Sequence, residues 1–275
     1  MRAAVVQINS SADRDRNLEV AESLVRSAAA DGADLIVLPE KWPLLASGEE
    51  LIEGSETIDG PAITAACSWA SELGINIQAG SFCETGEGDA RPSNTATMIS
   101  PEGEITATYR KIHMFDVEAG GVEYRESSFE QAGDRIATVT AGEAEIGMTI
   151  CYDLRFPELY RALLDRGTNT YTIPSAFTSA TGRDHWEPLI RARAIENESF
   201  VLAANQVGKA APEFDSWGHS SIVDPWGEII ARVDEGEGFA AADLDFAFLE
   251  ETRRRLPAVT SRRPELFAPS TGAAA

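Results

Sequence analysis

The residues that could do chemistry in this chain are a thiol, a carboxylate and an amine, each set just after a stretch that reads as a strand. Cys151 follows Ile146, Met148 and Ile150, whose alternation predicts a strand, and precedes Tyr152-Asp153-Leu154-Arg155-Phe156-Pro157-Glu158. Pro157 with Glu158 behind it suits the first turn of a helix: proline has no N–H to lose there, and a carboxylate complements the positive helix end. Cys151 is therefore expected on a sharp strand-to-helix turn, its sulfur projected outward beside backbone N–H groups. That is the geometry of a nucleophile elbow, and it points to acyl transfer. Core packing is the competing reading, because free cysteine is among the most buried residue types.

Glu40 closes the run Leu35-Ile36-Val37-Leu38-Pro39, and Lys111 closes Thr106-Ala107-Thr108-Tyr109-Arg110 and is followed by Ile112-His113. Taken singly, the first reads as a solvated loop carboxylate and the second as a charge at a rim. Taken together with Cys151 they supply a base, a fixed cation and a nucleophile, the set that thiol-based amide hydrolysis needs.

The elements that must position these residues alternate between strand and helix. Strands are expected at Arg2–Ile8, Leu35–Leu38, Ile75–Phe82, Asn94–Ile99 and Glu104–Tyr109, the last two joined by Pro101-Glu102-Gly103. Helices are expected at Asp13–Ala30, with Leu18, Ala21, Val25 and Ala28 on one face, and at Ile63–Leu73, Pro157–Asp165 and Trp186–Glu196. Further strands are expected at Thr170–Ile173, Phe200–Ala204, Ser220–Val223, Glu228–Val233 and Phe239–Asp243. No composition break divides the series, so the expectation is one α/β domain over residues 1–267, with a disordered tail over 268–275. Glu40 and Cys151 both fall at strand ends, where ligands gather in α/β sheets.

Composition narrows the function classes. With 275 residues and 43% apolar content the chain can bury a large core, and no apolar run is long enough to span a membrane. The first residues read as a buried strand rather than as a signal peptide. Cys67, Cys83 and Cys151 are odd in number and widely spaced, which argues against a disulfide framework or a zinc site and for a reducing, cytoplasmic setting. Of the 23 basic residues only Lys41, Lys111 and Lys209 are lysine. A formal charge of −22 repels phosphates and disfavours nucleic-acid partners.

Three spaced blocks resemble the signatures of the nitrilase superfamily, the carbon–nitrogen hydrolases: Leu-Pro-Glu at 38–40, Tyr-Arg-Lys-Ile-His at 109–113 and Cys-Tyr-Asp-Leu-Arg-Phe-Pro-Glu at 151–158. The likeness runs from about Val5 to Phe267. It implies an αββα sandwich that pairs through its helices into a homodimer or higher oligomer, and no metal or organic cofactor. It also implies a Glu–Lys–Cys catalytic set at Glu40, Lys111 and Cys151. A second glutamate is usual between the lysine and the cysteine; Glu126 matches its setting, with Glu118 and Glu123 close by. Tyr152-Asp153 after the cysteine, together with the segments 181–187 and 191–196, resembles the amidase branch that holds deaminated-glutathione amidases and ω-amidases. Arg183-Asp184 departs from the Pro-Ala common there, in a segment expected to be a loop near the site.

The chemistry so implied begins from a thiol. A free thiol with a pKa of about 8.5 is roughly 3% thiolate at pH 7. Lys111 favours the thiolate and the two glutamates oppose it, so a neutral thiol hydrogen-bonded to Glu40 is expected. Glu40 would serve as general base, Lys111 and the Tyr152 backbone N–H would hold the oxyanion, and a thioester would form with loss of ammonia. Against so acidic a background a carboxylate-bearing substrate needs a local cation. Arg155 can offer one, an ion pair with Asp153 or Glu158 being its structural alternative. The expected substrate is an ω-amide of a dicarboxylic or 2-oxo acid, or deaminated glutathione. A nitrilase or N-carbamoyl amino acid hydrolase of the same superfamily is one alternative, and a non-catalytic binding or scaffold protein is another.

Other chemically capable residues receive structural readings. His113 could pair with Cys151 as in papain-like enzymes, but the family's catalytic set leaves it no role in proton transfer; His185 and His219 are expected to be hydrogen-bonders or pocket wall, and Cys67 and Cys83 to be inert packing. Arg253, Arg254, Arg255, Arg262 and Arg263 form either a solvated tail or an arm on a partner subunit. The acidic, lysine-poor composition has two sources to separate, adaptation to high ionic strength or a generally acidic proteome. A melting temperature that rises from low to molar KCl selects salt adaptation, since screening then acts over ~3 Å; a flat profile rejects it.

Overall fold

Strands with apolar residues on both faces must be covered on both sides, and that requirement sets the layering. In the computed structural model, which describes residues 1–86, 88, 91–211 and 214–266, the chain opens with β1 (Arg2–Gln7), α1 (Arg14–Ala30), β2 (Leu35–Val37), α2 (Gly48–Glu53) and α3 (Pro61–Leu73). It continues through β3 (Asn76–Gln78), β4 (Phe82–Glu84), β5 (Ser93–Ile99), β6 (Ile105–Arg110) and a hairpin of β7 (Asp116–Ala119) and β8 (Val122–Arg125). Next come β9 (Ala137–Ala141), β10 (Ala144–Met148), α4 (Pro157–Leu164), β11 (Thr170–Thr172), α5 (Ser179–Asn197) and β12 (Phe200–Ala203). A second hairpin, β13 (Val207–Ala211) and β14 (Phe214–Trp217), precedes β15 (Ser221–Val223), β16 (Ile229–Arg232), β17 (Gly238–Asp243) and α6 (Phe246–Arg255).

One sheet has the order β17-β1-β2-β3-β5-β4, with β6 also paired to β5; the other has the order β16-β15-β12-β11-β10-β9. In β1, Ala3 and Val5 enter the core shared by the two sheets, while Ala4 and Val6 join the core formed with α1 and α3. β2 divides its residues the same way, Leu35 and Val37 inward, Ile36 outward. On the far side Leu159, Tyr160 and Leu163 of α4 and Trp186, Ile190 and Ala194 of α5 pack on the second sheet. The result is the expected αββα sandwich. No helix among the described residues is long and apolar enough to cross a membrane. The expected tail over 268–275 lies outside the described residues.

Several elements differ from expectation, each for a local reason. The strand expected over 75–82 breaks into β3 and β4 because Gly80 turns left-handed (φ 52°) between them. β10 stops at Met148, and Cys151–Arg155 forms a 3-10 turn before α4 begins at Pro157, so no strand runs directly into an α-helix. α5 begins at Ser179 rather than Trp186, which makes residues 181–185 helical and not a loop. Arg183 and Asp184 are exposed on it, so the departure from the family pattern faces solvent.

Gly80 also sets the path of the segment that carries Glu40. A Cβ there would lie 2.1 Å from the Pro39 carbonyl oxygen and 2.8 Å from Trp42 Cδ1. Gly80→Ala should therefore lower stability by roughly 2 kcal/mol or more, combining left-handed strain with overpacking. The urea midpoint of the variant measures this.

Candidate active site

Four elements end at one cavity. Glu40 follows β2, Lys111 follows β6, Cys151 follows β10, and Ala176 lies just beyond β11; all four line a cavity of about 190 Å³. Glu40, Lys111, Glu126 and Cys151 are 3%, 2%, 6% and 7% exposed, so their charges interact largely out of water. The Lys111 Nζ donates to Glu40 Oε1 at 3.0 Å and to the two Glu126 oxygens at 2.8 and 2.9 Å. Asn94 Nδ2 donates to Glu40 Oε1 at 2.7 Å, and the Ala176 backbone N–H donates to Glu40 Oε2 at 2.7 Å. The Phe115 N–H donates to Glu126 Oε2 at 2.6 Å. Each carboxylate is thus aimed by a neutral donor as well as by the ammonium.

Local backbone geometry presents the sulfur. Cys151 has φ 47°, a left-handed conformation that a non-glycine residue adopts only when its surroundings enforce it. Its own N–H donates to the Pro174 carbonyl at 2.8 Å and is unavailable to a ligand. Tyr152 lies in the first turn of the 3-10 helix, where a backbone N–H has no intrahelical acceptor. Asp153 braces the turn, accepting from the Tyr109 hydroxyl (2.7 Å), the Ile150 N–H (2.9 Å) and the His113 N–H (3.2 Å), and contacting His113 Nδ1 (2.7 Å). The histidine also stacks on Phe156 with ring centroids 3.6 Å apart, so its ring is engaged by Asp153 and Phe156.

Burial pushes the Cys151 thiol well above its ordinary range, Glu40 adds to the rise, and Lys111 opposes it without prevailing. The thiol therefore rests protonated against the Glu40 carboxylate. Burial pulls Lys111 down, yet Glu126, Glu40 and Cys151 together hold it well above the usual lysine range. Burial raises Glu126, but Lys111 and Lys41 outweigh that and hold it at about 2.

Among the glutamates of the region, Glu118 and Glu123 face one another across the exposed hairpin, and it is Glu126 that reaches Lys111. Tyr152 and Arg155 both line the cavity. No ion pair among the described residues involves Arg155, so the alternative pairing with Asp153 or Glu158 is not formed. Its guanidinium lies over the Phe177 ring at 5.0 Å and the Tyr152 ring at 5.8 Å, with NH1 3.2 Å from His185 Nδ1. Sequence reasoning passed over Asn94, Ala176, Lys41 and the β7–β8 hairpin, whose Val122, Tyr124 and Arg125 form part of the wall. Only the hairpin carried a signal, Gly120-Gly121 between alternating apolar residues.

Comparison with known proteins is consistent with this geometry. The family model described as carbon-nitrogen hydrolase matches residues 2–254. The deaminated glutathione amidase of Bos taurus is 40% identical over 270 residues, 96% of this chain and 82% of that protein. The omega-amidase NIT2 of Danio rerio is 34% identical over 267 residues, 97% of this chain and 96% of that protein. The crystal structure of the C. elegans NitFhit protein superposes with a TM-score of 0.91 at 34% identity, covering 96% of this chain and 65% of that longer one.

Removing the ammonium should strand two buried carboxylates. Lys111→Met is expected to cost about 3–5 kcal/mol in chemical denaturation, as breaking a buried ion pair does. Combined with Glu126→Gln, the loss should be smaller than the sum of the losses of the two single variants; a double variant whose loss equals that sum would show that the pair is not coupled.

Proposed function

The chain belongs to the carbon–nitrogen hydrolase family and is a cysteine-dependent amidase, and we propose that Cys151 is its nucleophile and a small carboxylate-bearing amide its substrate. The observation that carries this reading is the buried ammonium of Lys111, 3.0 Å from Glu40 and 2.8 Å from Glu126, in the same cavity as the Cys151 thiol.

The thiol proton passes to Glu40 as sulfur attacks the amide carbon, and the carbonyl oxygen takes up the negative charge. The Tyr152 N–H donates to that oxyanion. Lys111, whose N–H groups are engaged by Glu40 and Glu126, acts on it chiefly through its charge. The tetrahedral species collapses, the C–N bond breaks, and Glu40 returns the proton to the departing ammonia or amine. Glu40 then takes a proton from water as the hydroxide adds to the thioester. Release of the acid frees the sulfur, which recovers its proton from Glu40. Glu126 keeps Lys111 charged and in place throughout.

Arg155 supplies the hold for the substrate carboxylate: it lines the cavity, and its planar guanidinium lies 5.0 Å from the Phe177 ring and 5.8 Å from the Tyr152 ring. The names of the Bos taurus and Danio rerio relatives agree with an ω-amide of a dicarboxylic or 2-oxo acid, or deaminated glutathione. The reading takes the enzyme to be a cytoplasmic homodimer that needs no cofactor. Arg253 of the C-terminal cluster donates within its own chain, to the Glu198 carbonyl at 3.1 Å and to Ser199 Oγ at 3.1 Å. Solution mass after truncation beyond Arg255 therefore asks whether the residues that follow serve pairing.

Cys151→Ala should abolish amide turnover in folded protein, and Glu40→Gln should slow acylation by at least ~10²-fold. Near-normal amidase activity in Cys151→Ala would end this mechanism. Ammonia release across a panel of ω-amides, with a nitrile and a carbamoyl amino acid alongside, separates the amidase from its superfamily alternatives. Arg155→Ala should raise KM for carboxylate-bearing amides about ten- to a hundred-fold while leaving neutral amides unaffected; an unchanged KM would remove Arg155 from substrate binding.

A further inference from the structure

Behind Glu126 lies a second buried charge cluster that the mechanism does not use. Lys41, 6% exposed and left-handed in backbone (φ 53°), places its Nζ 2.9 Å from Glu130 Oε1 and 3.7 Å from Glu126 Oε1. The Cys83 thiol donates to Glu130 Oε1 at 3.6 Å, which makes this cysteine a partner of the cluster rather than inert packing. Glu130 is fully buried, and its Oε2 has no donor. Its carboxyl shares the Lys41 ammonium with the Glu126 carboxyl, and its backbone N–H donates to the Glu126 carbonyl at 2.9 Å.

Two carboxylates cannot face each other in a dry site without a cation or a proton between them. Lys41 serves Oε1 of Glu130, which leaves Oε2 to be satisfied in another way. A proton on Oε2 does so, and turns an orphaned acceptor into a donor. The charges then balance among the buried groups: Lys41 and Lys111 against Glu40 and Glu126. We propose that Glu130 is protonated in the working enzyme, donates to Glu126, and with Lys41 fixes Glu126 as the anion that holds the Lys111 ammonium. Glu130 and Lys41 are positioning residues; neither touches the reacting atoms.

The titratable and charged groups facing Glu130 are Lys41 from the turn after β2, Glu126 from the turn after β8, and Cys83 from β4. Burial pushes Glu130 up, Lys41 pulls it down, and Glu126 pushes it up again, to about 7. Burial raises the Cys83 thiol to about 12, so it stays a donor over the working range. Loss of the Glu130 proton as pH rises places a second anion against Glu126 and weakens its grip on Lys111, so kcat should fall along an alkaline limb.

This inference rests on the catalytic reading of Lys111, and Glu130→Gln and Glu130→Ala test it. The amide of Glu130→Gln keeps a donor toward Glu126 and an acceptor toward Lys41 but cannot titrate. Its kcat should stay within a few-fold of wild type at neutral pH, with the alkaline limb moved up or abolished. Glu130→Ala loses the donor, and its kcat should fall about ten- to a hundred-fold with a smaller change in KM. Should Glu130→Ala fail to fold, the pH profile of Glu130→Gln decides alone. An unshifted limb in Glu130→Gln, or equal kcat loss in both variants, overturns the proposal. An infrared measurement stands apart from activity: wild type should show a protonated-carboxyl band that bleaches as pH rises and is missing in Glu130→Gln. A band unchanged in that variant refutes the shared proton, whereas absence of turnover on every amide refutes the catalytic reading and leaves this band untouched.

Discussion

A lysine ammonium 2% exposed is the constraint around which this molecule is arranged. An uncompensated buried charge costs several kcal/mol even after relaxation, so Lys111 requires anions at contact distance from elements far apart in the chain. Glu40 comes from the end of β2 and Glu126 from the turn after β8, and each is itself aimed by a backbone N–H. Burial alone would raise the Glu126 carboxyl; Lys111, with Lys41, keeps it ionised. In the proposed mechanism the same Lys111 charge that holds the two carboxylates in place acts on the oxyanion, so electrostatic stability and electrostatic catalysis draw on one group.

The thiol behaves as that environment dictates. Burial and the Glu40 carboxylate outweigh the Lys111 ammonium, so Cys151 is kept protonated, and in the proposed mechanism its reactivity depends on the neighbouring base rather than on a standing thiolate. Such a site differs from one in which a cysteine is ionised in advance by a histidine. The nearby His113 is committed to Asp153 and to stacking on Phe156, bracing the turn that presents the sulfur.

Much of this was legible in the sequence because the reactive residues sit at strand ends, where a buried apolar run stops at a polar residue. The αββα layering was legible through the family resemblance; the apolar residues on both faces of β1 and β2 say only that these strands are covered on both sides. Residues whose inward direction depends on backbone conformation were not legible. Lys41 looks like a rim charge beside Glu40 until its left-handed φ folds it under Glu126. Glu130 has no pattern of its own; its environment is assembled from β4, the turn after β2 and the turn after β8. The 3-10 turn at Cys151–Arg155 is likewise decided by Asp153 contacts with Tyr109 and His113, more than 40 residues away in sequence for Tyr109 and 40 for His113.

The pairing of β1 with β17, which sets Arg2 opposite Asp243 and Gln7 opposite Gly238, carries a consequence for how the protein is made. Until ribosomal synthesis passes Asp243, β1 has an unsatisfied hydrogen-bonding edge on one side. A nascent chain with most of its sandwich translated still displays that edge to other chains, so the interval before the last strand arrives is when aggregation competes with folding.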